Sequence, residues 1–343
     1  MTSCHDLLIA GGGPAGLATA LYAARAGLDT VVAEPRPAPV DKACGEGLMP
    51  GAVRALTALG LKVPGHPVVG IRYVQGARQV EAAFRHGPGL GARRTDLHGA
   101  LHRAVMDAHV PVLPLRVEHV LQDAAGVTLP GTGLRARWLV AADGLHSPVR
   151  RSLGLQVTTR GTPRYGLRRH FAVPPWSPYV EVHWGAHAEA YVTPLGPALV
   201  GVALLTTRRA PFTTQLEDFP DLAARLPPET AVTAVRGAGP LRQRARARVH
   251  GRTLLVGDAA GYIDALTGEG VSLALSGAEA LVANLRRGTP SRYENDWCRA
   301  TRRHRLLTEA LVRARQQPAL ASRITPTAAR LPRLFAAVVN ALA

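Results

Sequence analysis

Three consecutive glycines directly after a four-residue apolar run constrain this chain more than any other feature. Residues 7–34 read LLIAGGGPAGLATALYAARAGLDTVVAE. Leu7, Leu8, Ile9 and Ala10 have the unbroken apolarity of a strand covered on both faces in a parallel sheet. A turn must follow, and Gly11, Gly13 and Gly16 provide it at the spacing G-x-G-x-x-G. The first glycine permits the turn, the second lets a pyrophosphate approach the backbone, and the third lets the next helix lie close to the strand. Ala15 falls in the first turn of that helix, whose free amides point at the phosphates. Leu17, Ala20, Leu21 and Ala24 carry the helical period as far as Gly27. A second strand over 30–33 delivers Glu34, where an acid meets ribose hydroxyls. The unit is a Rossmann-like dinucleotide site, and its acid disfavours the 2′-phosphate of NADP.

The remaining length must complete one sizeable core or two linked ones. The chain has 343 residues, 47% of them hydrophobic, with mean hydropathy near zero. No apolar run reaches the roughly 18 residues that span a bilayer, and the first strand begins too early for a signal peptide, so the expected location is cytoplasmic. Cys4, Cys44 and Cys298 are too scattered for a disulfide framework or a zinc site, and no metal is expected. The formal charge is +17, with a pI near 11.1. Only Lys42 and Lys62 are lysines among the 41 basic residues, so the excess is arginine, as in a GC-rich coding sequence. No nucleic-acid partner is expected. Arginine clusters at 242–248, alternating like one exposed strand face, and at 299–305, beside Trp297, leave room for a basic face toward an anionic substrate or a peripheral membrane contact. The oligomeric state has no sequence signal.

A simple dehydrogenase would continue with the rest of a doubly wound half. Instead come the glycine-rich loop DKACGEGLMPG, a helix over 52–59, a strand-like stretch over 68–74, and the helical segment RRTDLHGALHRAVMDA. Two further apolar strands end in an acid beside glycine, at Ala142-Asp143-Gly144 and at Gly257-Asp258. In this order the segments resemble the superfamily of FAD-dependent aromatic-ring hydroxylases (the group A flavoprotein monooxygenases) and geranylgeranyl reductases. The resemblance covers nearly the whole chain and implies noncovalent FAD, reduced transiently by NADH or NADPH. It implies that the N-terminal glycines hold the ADP half, that Asp258 binds the ribitol, and that Arg94, leading the R-x-x-L helix, contacts FAD. Asp143 would lie between the flavin and nicotinamide sites, or cap a turn. Gly268 and Gly270 open a long helix whose amides can approach the flavin pyrimidine edge. The stretch Asp41-Lys-Ala-Cys-Gly-Glu-Gly-Leu48 resembles that of bacterial geranylgeranyl-reductase-like proteins, which implies that Cys44 and Gly45 abut the isoalloxazine. Cys44 could then be a reactive thiol, and Glu46 an acid or base, or both could be structural.

The expected fold is α/β: a Rossmann-like FAD-binding domain from 1–160 and 249–290, with a strand excursion near 68–90, an inserted antiparallel substrate sheet over 161–248, and a C-terminal helical region over 291–343. The inserted sheet is read from strand-like pieces at 166–173, 179–184, 188–193 and 198–205, with a turn at 195–197. Such a sheet would roof the flavin with an apolar pocket, where His183, His187, Tyr165 and Tyr191 are the candidate polar groups. Two reactions compete. A monooxygenase would hydroxylate an apolar or phenolic small molecule; a reductase would pass hydride to a prenyl double bond. The chain lacks the reductases' aromatic-x-Trp-x-Phe-Pro motif around Tyr191–Gly201, and no W-x-W pair of a halogenase occurs, so the sequence alone ranks hydroxylation first. A non-enzymatic FAD-binding module is the third reading.

Overall fold

The computed structural model describes residues 4–343. The strand Cys4–Ala10 sits in the middle of the parallel part of an eight-stranded mixed sheet, because its last four residues are wholly buried and can be covered on both faces. It pairs with Arg135–Ala141 on one side and Thr30–Ala33 on the other; Thr253–Leu255 and Val112–Leu113 extend the two flanks, all in parallel. The helix Pro14–Arg25 crosses this sheet. Proline at its first turn lacks the amide that would go unsatisfied there, and Gly27 beyond its end takes φ +72°, open to glycine without strain. Leu17, Ala20 and Leu21 join the sheet's side chains in one core with the helices Arg94–Asp107 and Gly270–Arg286.

A second sheet has the order Arg236–Ala238, Tyr165–Phe171, Leu199–Thr206, Ala188–Gly196, Val180–Trp184, Gly70–Gln75, Arg78–Ala83. The four strand-like pieces expected between 160 and 210 all form, within a residue or three of the expected ends. The excursion near 68–90, grouped by sequence with the nucleotide-binding segments, pairs with this second sheet: Gly70–Gln75 runs parallel to Val180–Trp184, so the sheet is mixed and not purely antiparallel. Strand alternation gives each face its own core. Ala190, Val192, Val200, Val202 and Leu204 pack on Phe212, Phe219 and Leu222 behind the sheet. Val182, Tyr191, Ala203 and Leu205 face the other way.

The chain closes with the helices Tyr293–Gln316, Ile324–Arg330 and Pro332–Leu342. The last packs Phe335 and Val339 on Val80 and Ala82, with the Phe335 ring 4.6 Å from Tyr73. The long helix is pinned by buried charges: Arg315 meets Glu189, which also accepts from Arg164 at 2.6 Å, and Arg164 holds Asp264 at 2.9 Å. The arginine run at 242–248 does not form one exposed face. Arg242 turns to Glu309, and Arg248 is buried against Glu294 and the Trp297 ring, because the carboxylates and indole of the long helix compensate both charges.

Candidate active site

One cavity of about 960 Å³ runs between the two sheets and ends among the C-terminal helices. Gly11, Gly13, Ala15, Cys44, Gly45, Glu46, Arg94, Asp143, Asp258, Gly268, Gly270 and Tyr191 all line it, although they come from seven stretches of sequence. Gly16 and Glu34 stand just behind. A Cβ on Gly16 would collide with the Gly11 carbonyl oxygen, so helix and strand meet only because this residue is glycine.

Gly13 is different. A Cβ there would find only the Arg94 guanidinium, 4.0 Å away, so the space beside it is open. Gly13 is also the N-cap of the helix Pro14–Arg25 and contributes no capping side chain, leaving the first amides free. Arg94 is 8% exposed, yet its Nη1 has no partner, and burial pushes its pKa down. Free amides and an unpaired buried guanidinium around a void fit an anionic group such as a pyrophosphate. At the far side of this end, Gly268 takes φ +71° and Gly270 opens a 17-residue helix, again with no side-chain cap.

Glu34 reaches the turn, but its carboxylate is already engaged. Its oxygens accept from Gly12 N at 2.8 Å and from Arg36 N, Nε and Nη2 at 2.8 to 3.0 Å, and Arg36 lines the cavity. The Arg36 and Gly12 hydrogen bonds outweigh the burial that opposes them, and hold the carboxyl below its ordinary range. Asp258 lies on the turn Gly257–Ala260 beyond the strand Thr253–Leu255, and takes a salt bridge from Lys42 at 3.0 Å. Asp143 accepts from Val149 N at 3.0 Å, the turn-capping role, while its Oδ1 is buried without a partner, and burial raises its pKa.

The loop carrying Cys44 and Glu46 is tied to the second sheet. Glu46 takes φ +60°, a conformation that costs a non-glycine residue energy. What over-determines it is buried: Oε1 accepts from Arg94 N at 2.7 Å, and Oε2 accepts from His170 Nε2 at 2.7 Å. That tautomer follows from the other ring nitrogen, which faces the donors Arg168 Nη1 and Thr233 Oγ1. Thr193 Oγ1 donates to Gly45 O at 2.8 Å, and Arg168 also grips Asp41. Burial pushes the Cys44 thiol up, against the pull of Arg94, so it stays protonated at neutral pH.

Of the proposed polar groups over the flavin, only Tyr191 faces the cavity, and its O–H donates to Leu266 O at 2.8 Å. His183 belongs to the other face: strand alternation turns it, with Glu181, away from the cavity that Val180 and Val182 line, and the two bond at 3.0 Å. His187 sits exposed on the turn before Ala188–Gly196, and Tyr165 accepts from Arg209 outside the cavity. Sequence reasoning missed Lys42, His170 and Arg150. Arg150 is wholly buried and joins Leu145 O, Asp258 O and Ala259 O, binding the A-D-G loop to the G-D loop. Its one signal is Ser147-Pro148, a helix start that places Arg150 in the first turn.

The model of the FAD binding domain family matches residues 5–107 and 116–288. The chain belongs to this family of FAD-binding proteins. It is an FAD-dependent oxidoreductase, with both reductases and monooxygenases among its relatives. A menaquinone reductase of Mycolicibacterium smegmatis is 29% identical over 344 residues, covering 87% of this chain and 80% of that one. A para-nitrophenol 4-monooxygenase of a Pseudomonas species is 34% identical over 183 residues, but covers only 45% of this chain and 44% of its own. Among solved structures, a geranylgeranyl bacteriochlorophyll reductase-like protein of Thermoplasma acidophilum aligns over 99% of this chain and 96% of its own, with a TM-score of 0.82 and 22% identity. No described helix is long and apolar enough to cross a membrane.

Proposed function

We propose that this protein reduces a double bond in the prenyl tail of a lipid or quinone. The observation that carries the reading is the far end of the cavity. Beyond Tyr191 the walls are Val182, Leu205, Leu266, Leu311 and Phe335, leading to the C-terminal helices. The Tyr191 O–H is already donated to Leu266 O, and the walls Val182, Leu205, Leu311 and Phe335 add no charged group to fix a phenol, whereas an apolar tail needs no anchor beyond matching walls. The absent Trp and Phe of the reductase motif ranked hydroxylation first, but the lining they would provide comes here from other elements. The likeness to a menaquinone reductase over most of both chains supports the same order; the monooxygenase likeness stops at about half.

In this reading Gly13, the amides after Pro14 and Arg94 hold the pyrophosphate of FAD; Asp258 and Lys42 meet the ribitol; Gly268 and Gly270 meet the ring edge. Bound there in its reduced form, FAD would supply the hydride. The chain's own residues handle the proton that the second alkene carbon must take. The Cys44 thiol, kept protonated by burial and lining the cavity, is the acid offered for this proton, and from Glu46 in the same loop a hydrogen-bonded line runs through His170 to half-buried Thr233. The apolar walls exclude water.

The test is turnover without oxygen. Purified protein with NADH or NADPH and a panel of menaquinones and geranylgeranyl lipids should give an anaerobic product carrying two added hydrogens and no oxygen. A product that forms only in air and carries label from molecular oxygen would overturn this reading and establish hydroxylation.

A further inference from the structure

The apolar end of the cavity opens through side chains that are themselves in solvent. Leu331, Leu334 and Val338 line the cavity, yet they are 50%, 57% and 36% exposed. The helix Pro332–Leu342 divides by face: Phe335 and Val339 pack on the strand Arg78–Ala83, and Leu334 and Val338 look outward. Leu320, on the short helix Pro318–Ala321, is 43% exposed. Single exposed leucines need no explanation, but several on neighbouring helices, three of them around one opening, mark a surface built to be covered.

The charge around them has one sign. After Glu309 the sequence holds no acidic residue, while Arg313, Arg315, Arg323, Arg330 and Arg333 follow. Arg315 is buried on Glu189, and Arg313 bonds Glu309. Arg323, Arg330 and Arg333 are exposed and pair with no acid among the described residues. Apolar side chains ringed by unpaired guanidinium groups match the boundary between acyl chains and anionic headgroups.

We propose that the helices between Pro318 and Leu342 dock this protein on an anionic lipid bilayer, with Leu331, Leu334 and Val338 entering the acyl boundary and Arg323, Arg330 and Arg333 meeting phosphates. The cavity mouth then opens into the membrane, and an apolar tail can enter without crossing water. The surface carries this inference independently of the reaction, and its test reads binding, so failure of the reductase reading leaves it standing.

FAD-loaded protein is floated with vesicles of phosphatidylcholine alone or with one-third phosphatidylglycerol. Wild type should float with the anionic vesicles and lose about tenfold in partition with the neutral ones, and L334E/V338E and R330E/R333E should each lose about tenfold on anionic vesicles. Bound-FAD absorbance and melting temperature should not change, since all four side chains are in solvent. Should L334E/V338E fail to fold, R330E/R333E and L334S/V338S read the same face. Wild type that stays unbound with anionic vesicles overturns the proposal, as do folded variants that float like wild type. A concentration-dependent dimer lost in L334E/V338E also overturns it, by assigning the face to a second copy.

Discussion

The two ends of the cavity were built by different means. At the nucleotide end, backbone groups and single charged side chains act, and their positions follow from short motifs: Gly11 to Gly16, Arg94, Asp258, Gly268 and Gly270. At the other end the wall is assembled from the second sheet, the loop at Leu266 and three C-terminal helices, and the Tyr191 O–H is donated within the protein to Leu266 O. The first end is specific because a void must be kept open beside fixed donors. The second is specific only in shape, and any apolar residue of the right volume could serve there.

The largest effect that sharpens this contrast is at Gly13. Nothing but the Arg94 side chain stands near a Cβ at this position, and the backbone there is extended, so Gly13→Val should fold with wild-type melting behaviour. It should nonetheless lose FAD by more than about a hundredfold in affinity, because the side chain fills the space of the pyrophosphate. Gly16→Ala should do the opposite and damage the fold itself, since its Cβ meets the Gly11 carbonyl oxygen. Undiminished FAD in soluble Gly13→Val protein would break the distinction between the two glycines.

Glu34→Ala comes next. The carboxylate holds Gly12 N and three donors of Arg36, so its loss frees both the turn and a guanidinium. Charge-assisted bonds of this kind are worth about 1.5 to 3 kcal/mol, and because all four lie within the protein the loss should show as a lower melting temperature, with FAD affinity by calorimetry falling up to about tenfold as the turn loosens. An equal dissociation constant would show that Arg36 alone shapes the site.

The contrast also explains what could be read from the sequence. The glycine turn, the four strands of the second sheet and the helix at Gly270 were legible, because backbone geometry and strand period are local properties. The face of His183 was illegible because a histidine in a strand is assigned a face only by register, and Glu181, two residues back, shares its face. His170 gave no signal, since its partner Glu46 lies 124 positions away. Arg248 reads as surface charge until Glu294 and Trp297 close over it. The substrate wall was illegible as a whole: Phe335 and Tyr73 meet only after two distant segments fold back on the second sheet.

At that wall the expected change is in turnover. Ala203 faces the cavity opposite Tyr191 and is 9% exposed. Ala203→Phe should fill the tail's path, cutting kcat/KM by about tenfold for a long prenyl substrate while FAD binding stays as in wild type. Lost FAD with unchanged turnover per bound cofactor would mean that the two ends are not separable.

The last effect, absent at neutral pH, concerns acid and belongs to the nucleotide end alone. His98 is 1% exposed and its Nε2 lies 2.9 Å from the Gly12 carbonyl, to which it donates as a neutral ring. Burial, and after it the charge of Arg94, lowers its pKa from 6.5 to about 4. The unfolded ring titrates near 6.5, so between those values the unfolded chain holds more protons than the folded one. Stability therefore falls as pH drops from about 6.5 to about 4, by up to about 3 kcal/mol from this group, and is unaffected by it above that window. His98→Gln keeps a donor for Gly12 without the titration, so its melting temperature should fall less steeply with acid than that of wild type. Ala203→Phe, at the end that carries no such group, should keep the full wild-type slope. Parallel acid profiles for wild type and His98→Gln would remove His98 from the account and leave the glycine turn indifferent to pH.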